Sequence, residues 1–153
     1  MNKIFILKGK SETGKTTKVN QIAEWIISNY SCLNTIGFDP TNLLKDTHGI
    51  LTIKKMTIGI NSSGDTETEV KKINNLKSNS SENNSTPDII ICSCRTKGKG
   101  RRHIINNYNI ANGWLSIFIN VEEYQKTDLK NQNLRDVRII NELKSWLIGL
   151  EKL

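Results

Sequence analysis

Cysteine is sparse in this chain, histidine sparser, and long apolar runs are missing. Three cysteines, Cys32, Cys92 and Cys94, are too few and too odd in number for a disulfide framework and fit a reducing compartment. Cys92 and Cys94 form a C-x-C pair inside an apolar run. Without a second such pair or nearby histidines, they read as buried strand thiols rather than half of a metal site. No stretch approaches the ~20 apolar residues of a membrane span, so no membrane partner is expected. Met1-Asn2-Lys3 passes straight into a strand-like segment, without the apolar region and cleavage site of a secretion signal. The cytoplasm is the expected location. His48 and His103 have no acid motif beside them, and no serine sits in a nucleophile elbow, which argues against a hydrolytic triad. Tyr30, Tyr108 and Tyr124 are scattered and make no stacking platform for bases.

What is present is a chain of 153 residues, which suits one compact domain spanning 1–153 with its own core. Lysine and arginine number 22 against 15 acids, a formal charge of +7. That balance favours phosphate-rich partners such as nucleotides or nucleic acid, or serves as a solubilising surface.

Short apolar runs predict strands at Lys3–Lys8, Thr35–Phe38, Met56–Ile60, Asp88–Cys92 and Trp114–Val121, with a further strand at Ile50–Ile53. Pro40 marks the exit from the second run. Helical spacing of Val19, Ile22, Ala23, Ile26 and Ile27 predicts a helix from Thr16 to about Asn29. Val70, Ile73 and Leu76 predict another, begun by Asp65-Thr66-Glu67. A last helix is expected from 131 to 151, with Leu134, Val137, Ile140, Leu143, Leu147 and Leu150 on its apolar face. A short helix is expected around Asn42 to Lys45, and residues 77–87 read as a polar loop. Trp114 and Trp146 are expected in the core, Trp25 partly buried, and the two histidines on the surface. Strands alternating with helices imply an α/β fold, a three-layer α/β/α sandwich around a mainly parallel five-stranded sheet.

Between the first strand and first helix, Gly9-Lys10-Ser11-Glu12-Thr13-Gly14-Lys15-Thr16 matches G-x-x-x-x-G-K-[ST] at every position. A triphosphate needs several donors converging on it. Gly9 and Gly14 let successive backbone N–H groups turn inward, and the helix adds its free N-terminal amides and positive dipole end. Lys15 can reach the β- and γ-phosphates, the Thr16 hydroxyl can ligate magnesium, and Thr17 can meet the α-phosphate. ATP with Mg2+ is the expected ligand pair.

On this motif and the alternation around it, the chain resembles the P-loop NTPases. In size and element order it is similar to the small nucleotide and polynucleotide kinases. That resemblance implies ATP-dependent phosphoryl transfer to a nucleoside, nucleotide or polynucleotide hydroxyl. It places Asp39, after Thr35–Phe38, as the base for the acceptor, and an Arg-bearing lid on the run Arg95, Lys97, Lys99, Arg101 and Arg102, with Arg95 as the phosphate contact. The stretch GKSETGKTT also resembles the deviant phosphate loop of partitioning and Min-type ATPases, with Lys10 on their signature lysine. Ser11 and Glu12 in place of two small glycines, the short chain, and Cys92 where that group has an aspartate all depart from it. A third reading is a nucleic-acid-associated factor regulated by ATP. For the second magnesium carboxylate, Asp65 after Met56–Ile60 is preferred over Asp39, although Asp65 also suits a helix N-cap.

Overall fold

In the computed structural model, which describes residues 1–32, 38, 45–80 and 83–148, the run KIFILK lies inside strand β1 (Asn2–Gly9). Successive strand side chains point to opposite faces. Phe5 and Leu7 enter one buried cluster, Ile4 and Ile6 another. A strand apolar on both faces has to be covered on both sides.

β1 pairs in parallel with β6 (Ile89–Cys94) on one side and with β7 (Trp114–Val121) on the other. β3 (Met56–Asn61) is parallel to β6, and β2 (His48–Ile53) closes that edge antiparallel to β3. The sheet order is β2-β3-β6-β1-β7. Helices α1 (Lys15–Asn29) and α4 (Leu129–Leu147) bring Val19, Ile22, Ile26, Ile139, Leu143 and Leu147 onto the Phe5–Leu7 face. Helix α2 (Glu67–Lys71), the 3-10 turn Lys72–Asn75 and helix α3 (Lys99–Asn107) supply Val70, Ile73 and Ile104 to the other. The fold is therefore α/β, a five-stranded, mostly parallel sheet flanked by helices. No helix among the described residues is long and apolar enough to cross a membrane.

The connections position the site. The chain leaves β1 through α1 on one face and leaves the adjacent β6 through α3 on the other. Such a reversal opens a crevice at the carboxyl ends of the two strands, where α/β sheets bind ligands.

The five-stranded sheet is mainly parallel as expected, with β2 antiparallel at one edge. Other expectations shift. The expected strand Thr35–Phe38, most of the helix at Asn42 to Lys45, and Asp39 lie outside the described residues, apart from Phe38 and Lys45. Residues 77–87 carry a small antiparallel pair, β4 (Ser78–Ser80) with β5 (Asn83–Ser85), rather than an open loop. The second half of the basic run, where the resemblance places a lid, is helical: Lys99 onward forms α3. Gly100 lies where a Cβ would come within 2.8 Å of Val70 Cγ2, so this glycine permits close packing of α3 on α2 rather than loop motion.

The inward face of α4 is also rotated from the expected one. Arg135, Ile139, Leu143 and Leu147 are buried, while Leu134 and Val137 are 60% and 59% exposed. Trp114 is buried as expected, but Trp146 is half exposed, with its ring 6.1 Å from that of Phe5. Trp25 is partly buried. His48 is exposed, whereas His103 is half-buried beside Asn74.

Candidate functional site

The Gly9–Thr16 loop leaves the carboxyl end of β1. A Cβ on Gly9 would come within 2.9 Å of Thr13 Oγ1 and 3.0 Å of the Val121 carbonyl, so the loop starts hard against β7. Thr13 Oγ1 donates to the Lys10 carbonyl at 2.8 Å and ties the loop to itself. Glu12 (φ 62°) and Gly14 (φ 81°) take left-handed backbone on either side of Thr13. For Glu12 that conformation is strained. Gly14 is the N-cap of α1 and offers no side-chain cap, and no acid lies in the first turn. The opening amides of α1 thus lack an intrahelical partner, at the positive end of the helix dipole.

Lys15 points back into this loop. Its Nζ donates to the Gly9 and Lys10 carbonyls, each at 2.8 Å, and to Asp65 Oδ1 at 3.2 Å. Its side chain is only 5% exposed. Asp65 is available because Thr66, not Asp65, caps α2, accepting from the Glu69 amide. Ser11 Oγ donates to Asp65 Oδ2 at 3.5 Å, and Arg95 Nε lies 3.9 Å from Oδ1.

The segment carrying Asp65 crosses the end of β6. A Cβ on Gly64 would collide with the Ser93 carbonyl and come within 2.5 Å of Ser93 Oγ, so only glycine allows the crossing. The Ser62 carbonyl accepts from Thr16 Oγ1 at 3.1 Å and from Ser93 Oγ at 2.9 Å, which pins the segment to both α1 and β6. Buried Asn61 donates to the Ser63 and Glu69 carbonyls at 3.1 and 3.0 Å. The result is a cavity of about 210 Å³ with Glu12, Gly14, Lys15, Thr16, Asp65 and Ser93 in its walls. A second cavity of about 240 Å³ lies on the other side of Glu12, against Tyr124, Lys126, Gln132 and Arg135.

An ion network of two buried cations around the partly exposed Asp136 supports the loop from behind. Lys18, 3% exposed, bonds Asp136 Oδ1 at 2.8 Å and the Gly14 carbonyl at 3.3 Å. Burial lowers its pKa, with the Asp136 hydrogen bond pulling the other way. Arg135 Nε bonds the same Asp136 oxygen at 3.0 Å, and its Nη1 donates to the Glu122 carbonyl at 2.7 Å. Its guanidinium stands 5.9 Å from the Tyr124 ring. Gly14 is thus coupled to the β7–α4 connection. Sequence reasoning missed Lys18, Arg135 and Asp136. The available signal was a charged residue at the head of the i, i+4 stripe of Ile139, Leu143 and Leu147.

Lys15, Thr16, Asp65 and Arg95 are brought together, with Ser11, Glu12 and Thr13 around them. Thr17 is half-buried in the first turn of α1. Lys10 is 68% exposed, pairs with Glu123 at 3.1 Å, and is not among the residues lining the Lys15 cavity. Asp39 is outside the described residues.

The donor set suits magnesium in one respect. Among the described residues no group of three or more His, Cys, Asp or Glu could hold a metal. Magnesium, however, is ordinarily held by one or two carboxylates with waters and phosphate oxygens. Thr16 and Asp65 share one cavity, and the Thr16 hydroxyl proton is already directed to Ser62, leaving oxygen lone pairs for a cation.

Comparison with family models, curated proteins and solved structures finds no match to this chain. What can be said of function rests on the geometry above and the motif that builds it.

Proposed function

We propose that the protein binds ATP with magnesium through a P-loop at Gly9–Thr17 and transfers the γ-phosphoryl group to a hydroxyl acceptor. One observation carries the reading. A buried lysine ammonium and the uncapped end of α1 face one cavity at the strand reversal, and among the described residues the charges set against them there are the carboxylates of Glu12 and Asp65. An incoming phosphate replaces Asp65 as the partner of Lys15 and accepts from the free amides of α1. The second cavity, beside Tyr124 and Gln132, gives room for the nucleoside half.

Arg95, at the rim beside Asp65, supplies positive charge to the transferring oxygens. Thr16 and Asp65 are the residues that would hold magnesium. When bound, the ion neutralises phosphate charge. Asp39 remains the residue proposed to accept the acceptor's proton.

The reading is tested by incubating the protein with γ-labelled ATP and a panel of nucleosides, nucleotides and oligonucleotides. Label on an acceptor supports it. Hydrolysis without acceptor labelling, together with ATP-dependent dimerisation lost in Lys10→Ala, points instead to the partitioning-type alternative.

A further inference from the structure

Three residues that the proposed reaction does not use meet on the α3 side of the sheet. Lys8 Nζ stands 5.7 Å from the centroid of the Phe118 ring, and Arg101 Cζ stands 6.0 Å from the same centroid. They come from β1, α3 and β7, and all three are half-buried, each with part of its side chain at the surface. Phe118 packs against the Ile4–Ile6 cluster, which fixes the ring.

The charges here are unbalanced in a way that the rest of the site is not. Lys10, Lys15, Lys18, Arg95, Arg135 and Arg138 each have a carboxylate within 4 Å. Among the described residues, Lys8 and Arg101 form no salt bridge, and Arg101 Nε is shielded from solvent with no hydrogen-bond acceptor. An aromatic face returns less to a cation than a carboxylate partner does, and a shielded donor without an acceptor is left uncompensated. Pairing that donor requires the guanidinium to turn towards the exposed side of the ring, where an anionic ligand would supply the acceptor.

The cluster adjoins the proposed ATP site. Lys8 directly precedes Gly9, and Lys15, Arg101 and Lys8 all act on the Cys94 thiol against the larger effect of its burial. Two cations without carboxylates favour a phosphate, and a guanidinium presents a fork of donors matched to phosphate oxygens.

We propose that Lys8, Arg101 and Phe118 form a second anion subsite, which holds a phosphate group of the phosphoryl acceptor. The subsite stands on its own geometry; the word acceptor rests on the kinase reading. A phosphate can come from a mononucleotide or from a polynucleotide backbone, and the two are separable by experiment.

Thymidine 5′-monophosphate and an oligothymidylate of about ten nucleotides are titrated calorimetrically into the wild type, Lys8→Met, Arg101→Gln, Arg101→Lys and Lys15→Ala, with magnesium-ATP titrated in parallel. Binding of the probe is expected to weaken about tenfold in Lys8→Met and in Arg101→Gln, less in Arg101→Lys, and to survive in Lys15→Ala. ATP binding is expected to show the reverse pattern. If the mononucleotide gives this result, a single phosphate suffices. If only the oligonucleotide does, with affinity falling steeply as salt rises, the backbone is the ligand.

The subsite is overturned if neither probe binds the wild type, if Lys8→Met and Arg101→Gln both leave binding unchanged, or if binding is lost in Lys15→Ala alone. Should Arg101→Gln not fold by circular dichroism, Lys8→Met and Arg101→Lys decide the matter. Probe binding that depends on Arg101 in a protein that takes up no ATP leaves the subsite standing and removes the kinase reading.

Discussion

Lys15 Nζ and Asp65 Oδ1 lie 3.2 Å apart, joining the phosphate-binding loop candidate to a segment 50 residues further along the chain. The lysine side chain is buried and the carboxylate half exposed. The ammonium is held by two carbonyls and one carboxylate, and on the proposed reading the carboxylate is the partner that a phosphate would displace. On the proposed reading Asp65 would have two opposed effects: it would compete with phosphate for Lys15 and, once released, become available to a cation.

Asp65→Asn should separate those effects. Without magnesium, inorganic triphosphate should bind the variant more tightly than wild type, by roughly threefold, the worth of a half-exposed ion pair. With magnesium the order should invert. Calorimetric titration under both conditions checks this. A change in the same direction under both would remove Asp65 from the metal role.

Gly64→Ala should disrupt the site without touching any charged group. The added methyl collides with Ser93 at the end of β6, and the carbonyl of Ser93 belongs to a strand that cannot yield. Overpacking of this kind costs about 1–3 kcal/mol. We expect a lower melting temperature and weaker nucleotide binding together. Unchanged melting would mean that the crossing of residues 62–65 over β6 is wrong.

Much of this site is legible in the sequence, for physical reasons. The strand–loop–helix unit from Asn2 to Asn29 shows because a doubly buried strand reads as an apolar run and α1 keeps helical spacing. Asp65 shows as an acid after an apolar strand, but the Ser-Ser-Gly insert before it hid its place beside Lys15, which follows from Gly64 packing on Ser93. Helix α3 hid because Ile104 is its only buried residue and because glycines in a basic run suggest a loop; Gly100 is in fact a packing glycine. The face of α4 was misread because Arg135 takes an inward position that periodicity assigns to an apolar residue. Its ion pair with Asp136 and its bond to the Glu122 carbonyl satisfy the charge there.

The buried network makes a distinct stability prediction. Asp136→Ala leaves the buried Lys18 without its carboxylate; with Asp136 itself 38% exposed and the Gly14 carbonyl still in reach, the loss falls below the roughly 3–5 kcal/mol of a fully buried pair. Adding Lys18→Met removes the stranded charge and should recover a substantial part of that loss. Urea denaturation of the wild type, the single variant and the double variant measures it. If the double variant is no more stable than Asp136→Ala, the pair does not act as a unit.

Alkaline pH should destabilise the fold through Cys94. Burial raises its thiol from 9.0 to about 11. The native state therefore keeps a proton that the unfolded state releases above 9.0. The protonated native thiol contributes its full stability below that pH and loses it as pH rises towards 11, on the order of 2–3 kcal/mol in total. Cys94→Ala should show a shallower fall in stability between pH 9 and 11 than wild type. Equal slopes would contradict the burial of this thiol.

Magnesium-ATP binding, measured by titration calorimetry on the wild type and on folded Lys15→Ala, addresses the proposed nucleotide site with the fewest intermediate assumptions. We expect saturable uptake at one site by the wild type, weakened at least about tenfold when the ammonium is removed. No uptake by the wild type, or equal affinity in the two proteins, would contradict the account.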